Sequence, residues 1–256
     1  MKLSGKIVIL TGASQGIGKA AAYKFAQAGC KVALVARSAK MLTEIVKDIG
    51  ENHALAIPAD VSQKEDCKKI VEKTIEHYGK VDVLINNAGV GLYQPMESVL
   101  LSDINTVMNV NFIGVIQLSQ AVIPKMRTHG GGLIINVASI IGKRGFPNMG
   151  IYCASKAALE RMTESWRVEQ EKDNIRFSMC YPGITQTNFQ KNTLGIPPTD
   201  QFNQLAGVSA ERVAWQIVQT ARRESRDAYV TLFDKMFILG TKHVPHLFDM
   251  IFRRYS

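Results

Sequence analysis

A tyrosine and a lysine four positions apart, Tyr152 and Lys156, are the residues in this sequence that most directly suggest chemistry. Both lie at the start of a predicted helix, Tyr152–Glu171, where this spacing places two side chains on one face. A tyrosine with a pKa of about 10 exchanges protons poorly at neutral pH unless a nearby cation favours its phenolate. Lys156 can supply that cation, although the same spacing also occurs on ordinary helix surfaces. The pair gains meaning from the residues that accompany it.

The segment from Thr11 to Gly18 carries three glycines directly after a short apolar run. Glycines there let the backbone approach a pyrophosphate, and the following helix offers free N–H groups to the anion. The spacing G-x-x-x-G-x-G differs from the commoner dinucleotide fingerprint, so an ordinary tight turn is the alternative. Its place at the end of the first strand favours nucleotide binding, and the predicted binding residues are Gly12, Ser14, Gln15, Gly16, Ile17 and Gly18.

The end of the second predicted strand, Val32–Ala36, bears on which dinucleotide would bind. In NAD-binding sheets an acidic residue about 20 positions after the glycines bonds the ribose 2′-hydroxyl. Ala36 stands at that position, and Arg37 follows with a planar set of donors that suits a 2′-phosphate. A solvated surface arginine is the alternative. The pattern favours NADP(H) over NAD, with Ser38 as a second contact.

The elements that must position these residues alternate between short β-branched runs and longer helical stretches. Several runs are continuously apolar, which is typical of a parallel sheet covered on both faces. The predicted strands are Ile7–Leu10, Val32–Ala36, Ala54–Ile57, Val81–Ile85, Leu133–Ala138, Ile175–Tyr181 and Ala228–Phe233. The predicted helices are Ile17–Ala28, Ala39–Ile49, Lys64–Tyr78, Ser102–Met126, Tyr152–Glu171 and Ala210–Arg222. We therefore expect one doubly wound α/β domain of Rossmann type over residues 1–256, with a mostly parallel sheet of about seven strands.

Composition limits the remaining function classes. The 256 residues are 46% hydrophobic, and 31 Lys and Arg against 22 Asp and Glu give a formal net charge of +9. The basic residues are spread along the chain without a long block of like charges, which argues against a nucleic-acid partner. The four cysteines have no regular spacing and therefore predict no disulfide framework. His243 and His246 have no further metal ligand nearby in the sequence, so they predict no metal site. The apolar start is too short for a signal peptide, and no run of about 18 apolar residues predicts a transmembrane helix.

Together these residues resemble the short-chain dehydrogenase/reductase family, in its single-domain form that reduces ketones or oxidises alcohols. The resemblance runs from Lys6 to about Val230. It rests on six motifs in order, which are the glycine turn, Asn86-Asn87-Ala88-Gly89, Asn111 in the long helix, Ser139, the Tyr152 and Lys156 pair, and Pro182-Gly183. Each motif alone is modest, and their order and spacing make the resemblance specific.

The resemblance implies a catalytic set of Asn111, Ser139, Tyr152 and Lys156. Tyr152 would protonate the carbonyl oxygen as hydride arrives, while Ser139 would hold that oxygen by a hydrogen bond. Lys156 would lower the pKa of the tyrosine and bind the hydroxyls of the nicotinamide ribose. Asn111 would position a water in a proton relay to solvent, and packing within its helix is the alternative role.

The resemblance also extends the cofactor site beyond the glycine turn. Asp60, followed by Val61, would contact the adenine amino group, although a simple turn would also use an aspartate. The other implied contacts are Asn87, Ala88, Gly89, Tyr152, Lys156, Pro182, Gly183, Ile184 and Thr187. Gln15 departs from the family pattern, because many NADP-using members carry a basic residue just before the second glycine. Arg37 would then carry most of the preference for NADP(H).

Two segments stand outside the alternating pattern. Residues 184–207, with Gly195 and two prolines, fall where the family places a substrate lid, and they would equally suit a static surface loop. The apolar side chains in this segment and near the catalytic residues favour an apolar substrate, although core packing also explains them. These side chains are Val90, Leu92, Tyr93, Ile140, Ile141, Phe146, Phe189, Leu194, Ile196, Phe202 and Leu205. The tail, residues 235–256, is amphipathic with a basic end and predicts either a membrane-surface contact or packing within or between subunits.

The sequence therefore predicts an NADP(H)-dependent oxidoreductase that reduces an apolar carbonyl, lipid-, steroid- or acyl-like, or oxidises the corresponding alcohol. Two other hypotheses stay open, an NADPH-binding sensor or interaction protein without catalysis and a peripheral membrane protein. We expect a homodimer or homotetramer formed through the helices around Asn111 and Tyr152. We also expect a cytoplasmic location, with membrane association if the tail binds lipid.

Overall fold

The computed structural model describes residues 1–197 and 207–253, and its centre is a sheet of seven parallel strands. The strands of this sheet are β1 (Ile7–Thr11), β2 (Lys31–Ala36), β3 (Ala54–Pro58), β4 (Val83–Asn86), β6 (Gly132–Val137), β7 (Ile175–Tyr181) and β11 (Asp227–Tyr229). Four shorter strands lie outside it, namely β5 (Leu92–Tyr93), β8 (Thr185–Gln186), β9 (Leu194–Gly195) and β10 (Val208–Ser209). The helices are α1 (Gly16–Gln27), α2 (Ala39–Ile49), α3 (Lys64–Tyr78), α4 (Leu101–Met108), α5 (Gly114–Thr128), α6 (Gly150–Glu169), α7 (Ala210–Arg223), α8 (Leu232–His243) and α9 (Pro245–Phe252). The sheet has the order β11-β7-β6-β4-β1-β2-β3, and β5 with β9 and β8 with β10 form two small parallel pairs.

The strand order brings the loops of interest together. Strand β1 pairs with β2 on one side and with β4 on the other, so the winding of the chain reverses at β1. In open sheets of this kind, ligands bind beyond the carboxyl ends of the strands at such a reversal. The glycine turn after β1 and the loop that follows β4 both lie at this edge.

Helices cover both faces of the sheet. On one face α1, α2 and α7 bury side chains such as Phe25, Leu42 and Ile217. On the other face α3 and α5 contribute Ile70 and Leu118. Every residue of β1 is buried, which explains why the strand is apolar at each position and not only at alternate ones. The structure is the doubly wound α/β fold that the sequence predicted.

The predicted helix Ser102–Met126 runs from Leu101 to Thr128 as α4 and α5, joined by a π-helical turn at Asn109–Ile113. By length and composition this helix could cross a membrane, although the sequence analysis expected no such segment. Its residues Leu118 and Met126 are fully buried in the core that also contains α3. It is therefore a core helix of this fold.

The last predicted strand, Ala228–Phe233, is wrong in its second half. Strand β11 ends at Tyr229, and α8 begins at Leu232. The Thr231 hydroxyl accepts a hydrogen bond from the Asp234 amide (3.0 Å), and the Asp234 carboxylate accepts one from the Thr231 amide (2.9 Å). This reciprocal cap satisfies the first N–H groups of a helix and so ends the extended chain.

Candidate active site

Tyr152 and Lys156 lie one turn apart on α6, which begins two residues earlier than predicted, at Gly150. Both residues are nearly buried, with 7% and 4% of their surfaces exposed. The Lys156 ammonium donates a hydrogen bond to the Val137 carbonyl at the end of β6 (3.0 Å) and lies 5.8 Å from the centroid of the Tyr152 ring. The helix and the end of β6 thus hold the two side chains beside one another.

Ser139 joins this pair from the loop after β6. Its hydroxyl donates a hydrogen bond to the Pro182 carbonyl (3.4 Å) and accepts one from the Ile141 amide (3.4 Å). Ile140 reinforces the connection, because its amide donates to the same Pro182 carbonyl (3.0 Å). Two loops, one after β6 and one after β7, therefore fix the position of Ser139 next to α6.

The protonation state of Tyr152 follows from its burial. Burial raises the pKa of the Tyr152 phenol above its ordinary value, Cys153 adds to the rise, and a hydrogen bond with Ser139 opposes it. The loss of hydration is the largest cause of this rise, and the lowering of the pKa by Lys156 stays a prediction. The phenol is therefore protonated at neutral pH, which is the form a proton donor needs.

Lys156 remains charged near neutrality despite its burial. Desolvation lowers the pKa of the Lys156 ammonium to about 8, so the cation is present at neutral pH and is lost as the pH rises through that value. Little water screens a charge in this position. Lys156 can therefore stabilise negative charge on a neighbouring atom more strongly than an exposed lysine would.

Asn111 lies in the π-helical turn and is fully buried. Its amide oxygen accepts a hydrogen bond from the Val90 amide (2.8 Å), and its amide nitrogen donates to the Val90 carbonyl (2.9 Å) and to the Ser155 hydroxyl (3.1 Å). The π-helical turn aims the side chain at the loop after β4 and not at a neighbouring turn of its own helix. Asn111 therefore ties that loop to the helix that carries Tyr152 and Lys156.

The glycine turn forms a cradle with very little room for side chains. A methyl group on Gly12 would come within 2.9 Å of the Ala88 Cα, and one on Gly18 would overlap the Gly12 carbonyl oxygen. Gly16 begins α1 at φ +53°, and no acidic residue lies in the first turn of this helix. Ser14, Gln15, Gly16 and Ile17 are exposed or half-buried. The first N–H groups of α1 are therefore available to an anion.

The loop after β4 closes this cradle. The Thr11 hydroxyl accepts hydrogen bonds from the amides of Asn87 (2.9 Å) and Ala88 (3.0 Å), and the Asn87 side chain donates to the Thr11 carbonyl (2.9 Å). A methyl group on Gly89 would lie 3.3 Å from Asn111 Oδ1 and 3.5 Å from Lys156 Nζ. Gly89 thus connects the glycine turn to the tyrosine and lysine pair.

Arg37 lies at the carboxyl end of β2, beside the cradle. The Ala13 amide donates to the Val35 carbonyl (3.1 Å), which places the glycine turn two residues from Arg37. Arg37 is exposed and has no hydrogen bond or ion pair within the described chain. Ser38 instead caps α2 by accepting a hydrogen bond from the Met41 amide (3.4 Å). Arg37 is therefore free to bind a ligand, whereas Ser38 already has a structural role.

Asp60 and Val61 follow β3 and make local contacts. The Asp60 carboxylate accepts hydrogen bonds from the Ser62 amide (2.9 Å) and hydroxyl (2.8 Å), which is the arrangement of a simple turn. The Val61 carbonyl accepts a hydrogen bond from the Cys67 thiol (3.2 Å) and packs closely against Gly114. A contact of Asp60 with adenine would come in addition to this turn.

The segment after β7 returns to the cradle. The Gly183 backbone packs tightly against Asp234, and the Ile184 carbonyl accepts a hydrogen bond from the Val208 amide (3.0 Å). Thr187 reaches the glycine turn, since a methyl group on Gly16 would lie 3.1 Å from Thr187 Cγ2. The structure therefore brings Thr187 to the cradle, while Gly183 and Ile184 connect it to α8 and β10.

An apolar wall surrounds Tyr152. The residues packed together there are Tyr93, Ile141, Phe146, Met149, Cys153 and Phe189. The Phe189 ring lies 5.8 Å from the Tyr152 ring. Of the other predicted lining residues, Leu92 and Ile140 are buried, Val90 and Leu194 are half-buried, Ile196 is 45% exposed, and Phe202 and Leu205 lie outside the described residues.

The segment that carries Phe189 is anchored at both ends of its described part. The Leu194 amide donates to the Gly91 carbonyl (2.9 Å) and the Ile196 amide to the Tyr93 carbonyl (3.0 Å), while β8 pairs with β10. The predicted lid, residues 184–207, lies partly outside the described residues, which stop at 197 and resume at 207. Its described part covers Tyr152 on the side of the apolar wall.

Several groups at this site were not predicted from the sequence. The carbonyls of Val137 and Pro182 are backbone atoms, so residue type could not reveal them. Asn148 has φ +61°, and its side chain donates to the Tyr93 hydroxyl (3.2 Å). The Pro147-Asn148 pair is a turn signal that could have indicated this left-handed residue.

The fold and the glycine cradle at its carboxyl edge define a Rossmann-type α/β protein with a site suited to a nucleotide. The sequence pattern of the short chain dehydrogenase family matches residues 6–195, and the chain belongs to that family. The resemblance found in the sequence is therefore confirmed.

Relatives span several branches of this family. A protein called 11-beta-hydroxysteroid dehydrogenase-like 2 from Arabidopsis thaliana is 37% identical over 209 residues, which is 80% of this chain and 65% of that protein, just under two thirds of its length. A 3-oxoacyl-acyl-carrier-protein reductase from Thermotoga maritima is 37% identical over 189 residues, 73% of this chain and 77% of that protein. The crystal structure of a 3-ketoacyl-acyl-carrier-protein reductase from Brucella melitensis complexed with NADH, at 27% identity, superimposes with a TM-score of 0.81 over 89% of this chain and 98% of that chain.

Proposed function

We propose that this protein transfers a hydride between NADP(H) and a ketone or secondary alcohol, acting mainly as a reductase of an apolar carbonyl. The observation that carries the proposal is a protonated, buried Tyr152 beside the Lys156 cation, at the same edge of the sheet as the glycine cradle. The bound cofactor would supply the hydride. The names of two relatives, a hydroxysteroid dehydrogenase-like protein and a 3-oxoacyl reductase, point to the same kind of reacting centre.

The proton in this reaction would come from Tyr152. As hydride adds to the carbonyl carbon, the phenolic O–H bond breaks, a new O–H bond forms on the former carbonyl oxygen, and a phenolate remains. Ser139 would hold that oxygen by a hydrogen bond, and Lys156 would stabilise the phenolate. Asn111 Oδ1 and Lys156 Nζ face one another across Gly89, which supports a role for Asn111 in positioning a water that restores the proton.

The cradle fits a dinucleotide. Gly12 and Gly18 leave the backbone open to a pyrophosphate, and Thr187 lies against Gly16. The predicted contacts of the cofactor with Asp60, Val61, Asn87, Ala88, Gly89, Pro182, Gly183 and Ile184 are part of this proposal. Arg37, exposed at the end of β2 and without an ion pair among the described residues, supports the preference for a 2′-phosphate.

The expected substrate is an apolar ketone. Aromatic and aliphatic side chains surround the Tyr152 phenol, and Phe189 on the anchored segment lies against its ring. Such walls favour ligands that bury apolar surface and reject strongly hydrated ones. We propose that the segment around Phe189 acts as the substrate lid.

The test is cofactor consumption with small diones, 3-oxoacyl thioesters, steroid ketones and long-chain ketones. We expect NADPH to be consumed faster than NADH, with the highest rate on an apolar ketone. Arg37→Asp should lower kcat/KM for NADPH about tenfold or more, because a charged hydrogen bond is lost and a like charge introduced. It should raise kcat/KM for NADH.

Arg223→Asp is the matched control, since Arg223 is an exposed arginine at the end of α7. Faster consumption of NADH than NADPH by the unaltered protein would contradict the role of Arg37. Tight NADPH binding without turnover of any ketone would favour the sensor hypothesis over the reductase.

We also propose that the C-terminal hairpin, α8 and α9, contacts an anionic membrane surface. Phe237, Phe248 and Phe252 pack together inside the hairpin. The outer side chains remain exposed, namely Leu232, Phe233, Met236, Leu239, Leu247, Met250 and Ile251. Lys235 and Lys242 lie in the same helices, so the surface combines apolar and cationic groups. Residues 254–256 of the predicted tail lie outside the described residues.

Vesicle flotation tests the membrane contact. We expect the protein to float with phosphatidylserine-containing vesicles, and Phe233→Asp/Leu247→Asp to abolish flotation because two charges would enter the apolar surface. Met41→Asp/Trp215→Asp places the same charges at other exposed apolar residues and should leave flotation unchanged. Failure of the unaltered protein to float, with a smaller assembly for the hairpin variant in light scattering, would assign the surface to a subunit contact instead.

The proposed assembly is a homodimer or homotetramer through the helices around Asn111 and Tyr152. Leu101 and Val168 on these helices are 70% and 76% exposed, which leaves apolar surface for a partner subunit. The proposed location is cytoplasmic, at a membrane surface if the hairpin binds lipid.

A further inference from the structure

A buried carboxylate lies one turn beyond Lys156 on α6. Glu160 is only 3% exposed. Its Oε1 accepts a hydrogen bond from Lys143 Nζ (2.5 Å) and another from the Arg161 guanidinium. A buried carboxylate requires such partners, because the loss of hydration would otherwise be very costly. The proton transfer described above uses none of these three residues.

Lys143 ends the short segment that begins with Ser139. The Gly142 amide donates to the Ser139 carbonyl (3.1 Å), and the Lys143 amide donates to the Ile140 carbonyl (3.1 Å), so residues 139–143 form a compact turn. A methyl group on Gly142 would come within 2.9 Å of the Lys156 Cβ. The turn therefore lies across α6 from Lys156 to Glu160.

The Lys143 side chain is held on a second side. Its ammonium lies 4.7 Å from the centroid of the Tyr181 ring, and Tyr181 in β7 is buried and stacked on Tyr229 at 5.3 Å. A cation above an aromatic face is attracted to it. Lys143 is thus confined between β7 and Glu160, and it cannot move far without losing both contacts.

We propose that Glu160 and Lys143 are positioning residues that hold the Ser139 turn at its correct distance from Tyr152. Ser139 is held at one end of the turn by its hydrogen bond to the Pro182 carbonyl, and the other end is held to α6 by this ion pair. The packing of Ile140 and Gly142 holds the middle of the turn, and the ion pair fixes its far end to α6. The inference rests on the proposed reductase function and names two residues that act through Ser139 without touching substrate.

The first test compares Glu160→Gln with Glu164→Gln. Glu164 also pairs with Arg161 (2.7 Å) on the same helix, but its side chain is 38% exposed and not buried, so it is a matched control. We expect Glu160→Gln to lower kcat for ketone reduction by about tenfold or more, since small misplacements of reacting groups cost this much. NADPH affinity should be unchanged, and Glu164→Gln should match the unaltered protein in both measurements.

Lys143 provides a second route if Glu160→Gln folds poorly, because its side chain is partly exposed. Lys143→Met should reproduce the loss of kcat, whereas Lys143→Arg, which keeps the charge, should restore most of it. In a Ser139→Ala background, Glu160→Gln should cause no additional loss of kcat, because residues that act through one group are not additive. A full additional loss in that background would overturn the inference.

Hydrogen exchange supplies a readout that does not depend on turnover. The amides of Ile140, Gly142 and Lys143 are hydrogen-bonded within or beside the turn, and we expect them to exchange faster in Glu160→Gln but not in Glu164→Gln. If the unaltered protein reduces no ketone, the proposed function fails while the exchange result still decides whether the pair restrains the turn. Unchanged exchange together with unchanged kcat in Glu160→Gln would overturn the positioning role itself.

Discussion

Replacing Tyr152 with Phe is expected to lower kcat for ketone reduction by roughly 10²- to 10⁴-fold, the usual contribution of a positioned proton donor. The hydride would still be available, but the carbonyl oxygen would develop negative charge with only Ser139 to bind it. NADPH binding should be retained, because a phenylalanine ring preserves the packing against Phe189 and leaves Lys156 in place. Stopped-flow or steady-state consumption of NADPH measures the first quantity, and quenching or transfer of NADPH fluorescence measures the second.

Tyr78→Phe is the matched control for this experiment. Tyr78 ends α3, and its hydroxyl is buried without a hydrogen-bond partner within the described chain. Removing that hydroxyl should therefore leave kcat unchanged and cost no stability. Turnover by Tyr152→Phe at the rate of Tyr78→Phe would remove Tyr152 from the mechanism. Loss of NADPH binding together with turnover would show that the tyrosine acts mainly in holding the cofactor.

Replacing Gly18 with Ala is expected to weaken NADPH binding by roughly 10- to 100-fold, corresponding to an overpacking cost of about 1–3 kcal/mol. The added methyl group would overlap the Gly12 carbonyl oxygen and come within 2.7 Å of the Asn87 side-chain nitrogen. Both neighbours belong to the cradle, and one of them is backbone that cannot rotate away. The turn must open to relieve the overlap, which moves the groups that would face the pyrophosphate. Titration calorimetry with NADPH measures the effect.

Gly145→Ala is the control, because a methyl group there would have no atom of the described residues within 4 Å and its φ lies outside the left-handed region. Its NADPH affinity and thermal stability should match those of the unaltered protein. We expect Gly18→Ala to lower Tm by several degrees, since the opened turn also disturbs the packing of α1 on the sheet. Equal NADPH affinity in the two variants would mean that the cofactor does not use the glycine cradle.

The sequence by itself determined the fold and supplied the residues proposed for the site. Short apolar runs such as those of β1 and β4, alternating with longer helical patterns, are typical of strands covered on both faces, and they predicted the doubly wound sheet. The spacing of Tyr152 and Lys156 placed them on one helix face, and the structure shows them there. These features follow from local periodicity, which is the information a sequence carries most directly.

Local periodicity was insufficient where side-chain hydrogen bonds or burial decided the outcome. The extension of the last strand to Phe233 was wrong, because the reciprocal cap between Thr231 and Asp234 starts α8. The pKa of Tyr152 rises, because burial disfavours the phenolate. Neither the capping pair nor the burial of Tyr152 follows from the pattern of apolar residues alone.

Only the tertiary structure decided how the site is held together. Lys156 donates to the Val137 carbonyl, Thr187 reaches Gly16, and Glu160 pairs with Lys143 across the Ser139 turn. Each contact joins segments that are separate in the chain. In the contact of Lys156, the partner is the Val137 carbonyl, a backbone group that any residue type would present. Residue types predict which chemistry a site can perform, whereas distances between remote segments depend on how the helices pack on the sheet.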